Sequence, residues 1–482
     1  MPQSSKPSRK SFQQRLNHMI QSLRSDILNG QYRAGDYLPG EKLLADQFIL
    51  SNKSVRKGLD QLVSEGLIQK IDRVGSQVLQ ADTIETVALG YNSTIERDIA
   101  LSALVEDFQA LHPHVRVKCL PLKSTKDYIE SISTYMEHEM IDLFTMNHRD
   151  FQSLIEDGEL AALQPQPESE HVYPLSKEAF SIHGMLYARP LVFSPLILVY
   201  NRTHFAECGI PEPDGSWTWH DALRHAAALA SPGQRHGMYF HLLSDNRWPI
   251  FPLQGGVDFL ADEEWYERVD NEVIASCRMC KTLISNHHVF PNLLSESSDD
   301  VNELFREGKV SMILTTYMSL NDFRDSELDY DISPLPFLFE PKSVTVVIGV
   351  AMNKRSSGKP SARLLMDYLS SARAQQLIRQ RTLSLPATKK VAEAPPPIAV
   401  QHAPQGTRLP ELNIPSRFAL FRETMSSFRL HSALHLSDQP FNRLKTILKH
   451  YWADLMDESG LYLELRTLFR EEARKRRRQA HE

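Results

Sequence analysis

Cysteine is scarce, with four in 482 residues. A disulfide framework is thereby excluded, because such scaffolds pair many cysteines within a short secreted chain. Long apolar runs are missing too. No stretch reaches the ~18 consecutive apolar residues that would mark a membrane-spanning helix. The first residues are polar and basic, without the apolar core of an export signal. These absences lead us to expect a cytoplasmic chain with no membrane partner. The common marks of catalysis are also lacking: His-Glu-x-x-His, the phosphate-cradling Gly-rich loop ending in Lys-Ser/Thr, Gly-x-Ser-x-Gly and Gly-x-Gly-x-x-Gly. We therefore expect no enzyme, no metal and no cofactor.

What the sequence does have is size and an uneven charge. A chain of this length, 41% hydrophobic, holds two or three domains with ample cores. Residues 1–80 carry 12 Lys and Arg against 7 Asp and Glu, a net of +5. The whole chain is −6, so the remainder carries −11. A basic head on an acidic body suits binding of nucleic-acid phosphates by the head alone. The short arm with Lys6, Arg9 and Lys10 reads as disordered.

The head has a specific pattern. Apolar residues in 12–28 recur at helical spacing. Gly30 and Gly35 bracket a turn, and Pro39 is placed in the first turn of a helix over 41–48, with Leu43, Leu44 and Phe48 inward. Ser51 is the natural N-cap of a second helix. On it Val55, Leu59, Leu62 and Val63 point inward, while Asn52, Lys53, Ser54, Arg56 and Lys57 lie at its N-terminal end or outer side. Gly66 ends that helix. Residues 67–71 and 76–79 read as two strands with a wing tip at 72–75. A recognition helix presents its N-terminal residues to base edges in the major groove. These elements make a winged helix-turn-helix (α+β), with double-stranded DNA as partner.

The residues Gly35, Asp36, Leu38, Pro39, Glu41, Leu44, Ala45, Ser51, Ser54, Val55, Arg56, Leu59, Gly66, Leu67, Ile68 and Gly75 closely resemble the N-terminal domain of GntR-type transcription regulators. The resemblance implies DNA contacts from Lys42, Ser51, Asn52, Lys53, Ser54, Arg56, Lys57, Arg73 and Gly75. Gly40, Asn52 and Gly58 depart from the family pattern, where Ser, Arg and Ala are usual. Asn52 removes a bidentate guanine reader and suits adenine. Gly58 costs about 1 kcal/mol within a helix relative to Ala, or permits a closer approach of two helices.

After a linker at 81–84, the body at 85–482 alternates strands with helices: strands at 85–91, 115–120 and 141–146, helices at 99–111, 128–138 and 151–157. This alternation makes an α/β domain. Spread along it are Ile141-Asp142-Leu143, Gly158-x-Leu160, Gly184 to Pro190, Leu198 to Arg202, Cys208 to Pro211 with Thr218-Trp219, Gly308 to Met312, and Leu385-Pro386-Ala387. In this order they resemble extracellular solute-binding proteins of the sugar-binding type (family 1). The Pro-rich stretch 392–410 is outside that pattern and reads as a surface loop; helices at 442–456 and 458–474 fit the family's ending. The resemblance implies a two-lobed periplasmic-binding-protein-like fold, with the chain crossing between lobes near 190–200 and 344–352. It also implies a small-molecule effector, a sugar or oligosaccharide, bound by closure of the cleft.

Sugar clefts combine aromatic faces with planar polar groups. Loop tips after strands supply the candidates Tyr91, Asn92, Asn147, His148, Trp248, Thr316 and Tyr317. Trp219 is read as packing instead, because Thr218 to Asp221 forms a capping box. Cys277 and Cys280 with His287 and His288 have metal-ligand residue types, but i and i+3 within the helix expected at 265–284 read as two helix-face cysteines. The run 474–478 reads as a solvated helix end. The rival body for such a head is an aminotransferase-like fold using pyridoxal phosphate, which needs a Schiff-base lysine; no convincing lysine context is present. A degenerate cleft that binds a protein partner is the third possibility. Because one recognition helix covers only a half-site, a homodimer on a pseudo-palindromic operator is expected.

Overall fold

The computed structural model describes residues 9–28, 30–64, 67–71, 74–79, 84–122, 128–168, 170–257, 263–292, 295–394 and 412–479. The chain divides into two compact units, Met1–Val87 with Val105–Lys118, and Ala88–Leu104 with Cys119–Glu482.

The first unit contains helices Arg9–Leu28, Glu41–Phe48 and Asn52–Ser64, followed by the antiparallel strands Ile68–Ile71 and Gly75–Val78. Leu16, Met19, Ile20 and Leu23 of the first helix close on Val55, Leu59 and Leu62 of the third, with Leu44 and Ile68 in the same small core. Gly58 sits in that helix pair. A Cβ there would lie 2.3 Å from Met19 Cε and 3.2 Å from Ile20 Cγ1, so the missing side chain is what allows the close approach. Several expectations need correction. Leu43 is 60% exposed and Val63 38%, so neither belongs to the core; Ala45 is buried in Leu43's stead. Pro39 precedes the N-cap Gly40 rather than standing in the first turn. The first helix already begins at Arg9, so Arg9 and Lys10 are helical. Lys6, Gly66 and most of the loop at 392–410 lie outside the described residues.

In the second unit the strands of a mixed sheet run in the order 88–92, Leu143–Asn147, Ser343–Met352, Ala188–Asn201, Val310–Thr316 and His236–Tyr239. The 14-residue strand Ala188–Asn201 organises it. At the rise of about 3.3 Å per residue it is long enough to serve two halves. Its first part, Ala188 to Pro195, pairs antiparallel with Ser343–Met352; its second part, Leu196 to Tyr200, pairs antiparallel with Val310–Thr316. Met352 to Ile348 pair in turn with Leu143–Asn147. Of the two segments expected to cross between lobes, Ala188–Asn201 is the one whose two parts pair with different strands, whereas Ser343–Met352 pairs with its first part and with Leu143–Asn147. Gly349, where the register slips, tolerates no side chain: a Cβ would meet Phe180 Cε2 at 2.7 Å and the Arg189 carbonyl at 3.0 Å.

The helix expected at 99–111 is two helices, Ile95–Ile99 and Leu101–Leu111, broken by Ala100 at φ +53°. Glu96 explains the break, because its carboxylate accepts from the Ser102 amide at 3.0 Å and the Ser102 hydroxyl at 2.8 Å, capping the second helix. The C-terminal helices are Asp438–Trp452 and Glu458–Gln479, and Arg474 and Lys475 near the end of the last are exposed. Trp219 is a packing residue. Thr218 and Asp221 form the capping box, and the buried indole donates to Gln254 Oε1 at 2.8 Å and packs on Phe251.

Candidate functional site

The first unit offers an exposed basic face. Ser51 caps Asn52–Ser64: its Oγ accepts from the Ser54 amide at 3.3 Å and its carbonyl receives the amides of Ser54 and Val55. With the helix start fixed there, Ser51, Asn52, Lys53, Arg56 and Lys57 are all exposed, as are Lys42 and Gly75. Gly75 has φ +141°, which favours glycine at the start of the second strand. Ser54 departs from expectation. It is buried, with its hydroxyl 2.6 Å from Ser51 Oγ, so it serves the cap rather than the outer face. Arg56 Nε donates to Glu41 Oε2 at 2.6 Å, which holds the guanidinium across to the preceding helix. Arg73 lies outside the described residues.

The second unit contains a cavity of about 310 Å³. Its wall includes Val346 and Ile348, alternate residues on one face of strand Ser343–Met352. Asn92 ends the strand Glu85–Asn92, Thr94 lies in the turn after it and Arg97 on helix Ile95–Ile99, and Asn147 and Asp150 come from the start of His148–Glu156. Ser244, Asn246 and Arg247 come from the loop before Ile250–Gln254, and Ser297 and Asp299 from the start of Ser298–Arg306. Thr316 ends the strand Val310–Thr316, and Ser319 lies on the short helical turn Tyr317–Asp322 after it.

Each contributing turn is fixed by its own polar side chain. Asn92 Oδ1 accepts from the Thr94 amide at 3.2 Å. Asn147 and Asp150 form a reciprocal capping box, and burial pushes the Asp150 carboxyl up to about 6. Ser297 and Asp300 form another, and Thr316 Oγ1 accepts from the Ser319 amide. Arg97 is the charged hub. It donates to Asp98 at 2.9 Å, to Asp299 at 3.2 Å and to Asp322 at 3.1 Å. Burial opposes its charge, but Asp98 and then Asp322 outweigh that and raise its pKa. Arg247 has no such company: it is 4% exposed, and burial, then Arg97, lower its pKa to about 10.

The cavity therefore brings together three of the seven expected ligand residues, Asn92, Asn147 and Thr316. The other four are not on its wall. Trp248 is fully buried against Phe441, with ring centroids 4.7 Å apart. Tyr317 is fully buried as well, its hydroxyl donating to the Phe418 carbonyl at 3.3 Å and accepting from the Phe421 amide at 3.0 Å. His148 is buried, with Nδ1 2.5 Å from the Ala179 carbonyl and Nε2 3.0 Å from Ser432 Oγ; burial lowers its pKa to about 4. Tyr91 is half-buried beside the cavity-lining Asn92 and is absent from the wall. Among the described residues, no aromatic side chain lines the cavity.

Sequence reasoning missed Arg97, Arg247, Asn246 and the 297–299 turn. Only the last had a usable signal, the Ser-x-x-Asp spacing of a capping box before an amphipathic run. Cys277 and Cys280 lie buried within helix Glu263–Ser285, and burial pushes the Cys277 thiol up to about 12.

Residues 103–405, more than half of the chain, match the family model of bacterial extracellular solute-binding proteins, and residues 16–78 that of the gntR family of bacterial regulatory proteins. A putative binding protein of Brucella abortus (strain 2308) is 23% identical over 223 residues, which are 44% of this chain and 53% of that protein. The probable transcriptional regulator PhnF of Escherichia coli (strain K12) is 44% identical over 52 residues, 11% of this chain and 22% of that one. The chain thus spans about half the length of the first of these curated relatives and less of the second. An ABC substrate-binding protein of Listeria monocytogenes, solved in complex with cycloalternan, superposes with a TM-score of 0.64 at 17% identity, covering 81% of this chain and 98% of that one. Maltose-bound MalE3 of T. maritima gives 0.66 at 15%, covering 80% and 99%. At these identities the likeness to solved structures is one of fold.

Proposed function

We propose, for a chain that belongs to the bacterial extracellular solute-binding protein family and carries a gntR-family regulatory domain, the role of a cytoplasmic transcription regulator whose body senses a small molecule. One observation carries this reading: a single chain joins the DNA-binding family to the solute-binding family. The families are regulator and solute-binding types rather than enzymes, and the aminotransferase-like body is set aside. The domain boundaries we propose are 1–80 for the DNA reader and 85–482 for the sensor.

On the DNA side, Asn52, Lys53, Arg56 and Lys57 are our contacts to the operator, with Lys42, Ser51, Arg73 and Gly75 beside them. The exposure of Asn52, Lys53, Arg56 and Lys57 at the N-terminal end of one helix supports this. Arg56 exchanges Glu41 for a base edge or phosphate on binding. A homodimer reads two half-sites.

On the sensor side, a carbohydrate is the effector class we infer. Two sugar complexes share the fold, and the wall offers the amides of Asn92, Asn147 and Asn246 with several hydroxyls, groups suited to sugar hydroxyls. The strand Ala188–Asn201, whose two parts pair with different strands, is where a hinge would act, and ligand shifts DNA affinity only through its preference for the closed or the open form. A thermal-shift screen of the full chain against neutral mono- and oligosaccharides, sugar acids and sugar phosphates tests the sensor. A saturable rise in melting midpoint with one class is expected; a panel without any shift contradicts a carbohydrate effector.

A further inference from the structure

Arg247 is a buried cation with no carboxylate partner among the described residues. It stands on the cavity wall at 4% exposure. Its one side-chain hydrogen bond is long, from Nη2 to Thr315 Oγ1 at 3.4 Å, and its buried Nε has no partner. The cavity's carboxylates are committed elsewhere. Asp98 and Asp299 pair with Arg97, and Asp150 serves the Asn147 cap. Asp322, on the far side of Arg97, is shared with the Asn302 amide. The charge that acts on Arg247 is a second cation, Arg97. Taking a charge out of water is unfavourable unless it is paired. A guanidinium fork offers parallel N–H donors that match two oxygens of a carboxylate or phosphate.

We propose that the cleft takes an anionic ligand, with a carboxylate or phosphate group paired to Arg247. On the carbohydrate reading above, on which this inference rests, the effector is a sugar acid or a sugar phosphate. The polar wall holds the hydroxyls while Arg247 selects for the charge. Trp248, the adjacent residue, packs into the core against Phe441 and so anchors the loop that presents Arg247.

The test measures the melting midpoint of the full chain at fixed ionic strength, with inorganic phosphate, glucuronate, glucose 6-phosphate or glucose added in turn. Wild type, Arg247→Met and Arg247→Lys are compared. At least one anion is expected to raise the wild-type midpoint saturably, and glucose at the same concentration to do less. Arg247→Met is expected to weaken the apparent affinity at least about ten-fold, the scale of losing one charge-assisted pair; Arg247→Lys, which keeps the charge without the fork, retains part of the shift. Glucuronate against glucose 6-phosphate separates carboxylate from phosphate. Without ligand, Arg247→Met is expected to melt no lower than wild type, because an unpaired buried charge gives way to an apolar chain; a lower midpoint means the protein already satisfies Arg247 and overturns the proposal. A phosphate shift that survives in Arg247→Met comes from the basic head and overturns it too. If glucose equals the anions and its shift persists in Arg247→Met, the anion proposal falls and the carbohydrate reading stands. If none of the four compounds shifts wild type, the anion proposal falls, and the neutral oligosaccharides of the wider screen decide the carbohydrate reading separately.

Discussion

The two functional regions handle polar groups in opposite ways. Helix Asn52–Ser64, the proposed DNA reader, holds Lys53, Arg56 and Lys57 in water, on the outside of a small apolar core. The body sets a half-buried Arg97 and a buried Arg247 on the wall of a cavity that also takes in Val346 and Ile348 of strand Ser343–Met352. An exposed site can be changed with little effect on folding. A buried one is part of the fold, and residues one position apart take different roles. Stability and binding should therefore separate cleanly in the head and less cleanly in the body.

The largest effect expected from that contrast is at Tyr317. Tyr317→Ala removes a buried ring with two hydrogen bonds to the segment 418–421, so a loss of roughly 3–5 kcal/mol is expected in urea unfolding, with operator affinity of the folded protein unchanged. A midpoint equal to wild type would return Tyr317 to the cavity wall.

Acid should strike the body through its buried histidines. His148 titrates near 4 in the folded chain against 6.5 unfolded, and burial takes His431 to about 3. Their contribution is complete above 6.5 and is lost as pH falls from there toward 4, because the unfolded chain takes up the protons first. Asp150, raised to about 6, works in the opposite sense: the stability it adds is present below its unfolded value of 3.8 and lost as pH rises through 6. His148→Gln should reduce the stability lost between pH 7 and 4.5 by on the order of 2 kcal/mol. Equal losses in variant and wild type would show that His148 is not held neutral.

In the head, Arg56→Ala should weaken binding to an operator selected from random duplexes by about 1–3 kcal/mol, with the melting midpoint almost unmoved. A fall in stability of the same size would make the Arg56–Glu41 pair structural rather than a contact poised for DNA. The smallest expected change is at Ile49, a β-branched residue at φ +51° that closes helix Glu41–Phe48. Ile49→Gly should add about 1 kcal/mol of stability, and a loss would mean that its exposed side chain is held by another surface.

The same contrast explains what could be read from the sequence. Helical spacing, the Ser51 cap and the glycine turns laid out the head, because exposed and buried residues alternate there with one period. It failed at Leu43 and Val63, which lie outside the apolar stripe, at Ser54, which is buried in the cap, and at Pro39, which precedes the N-cap. In the body the strands near 190–200 and 344–352 and the Thr218–Asp221 cap were legible from local chemistry. The cavity wall was partly so. Choosing Tyr91, Trp248 and Tyr317 for their ring faces selected residues beside Asn92, Arg247 and Thr316, which do line it. Which of two neighbours faces a cavity is set by packing from distant segments, such as Phe441 on Trp248 and 418–421 on Tyr317. No local spacing encodes that. Arg97 and its three carboxylates span residues 97–322 and were invisible for the same reason.

The central claim is that ligand in the cleft and DNA at the head are coupled in one chain. Its most direct test is fluorescence anisotropy of the selected operator duplex with the full chain, at constant salt, with and without a saturating compound that raised the melting midpoint. The account predicts a change in Kd of at least about five-fold, the lower range of allosteric coupling, lost when Arg247→Met no longer binds that compound. An operator Kd unchanged by a ligand that demonstrably occupies the cleft would contradict it.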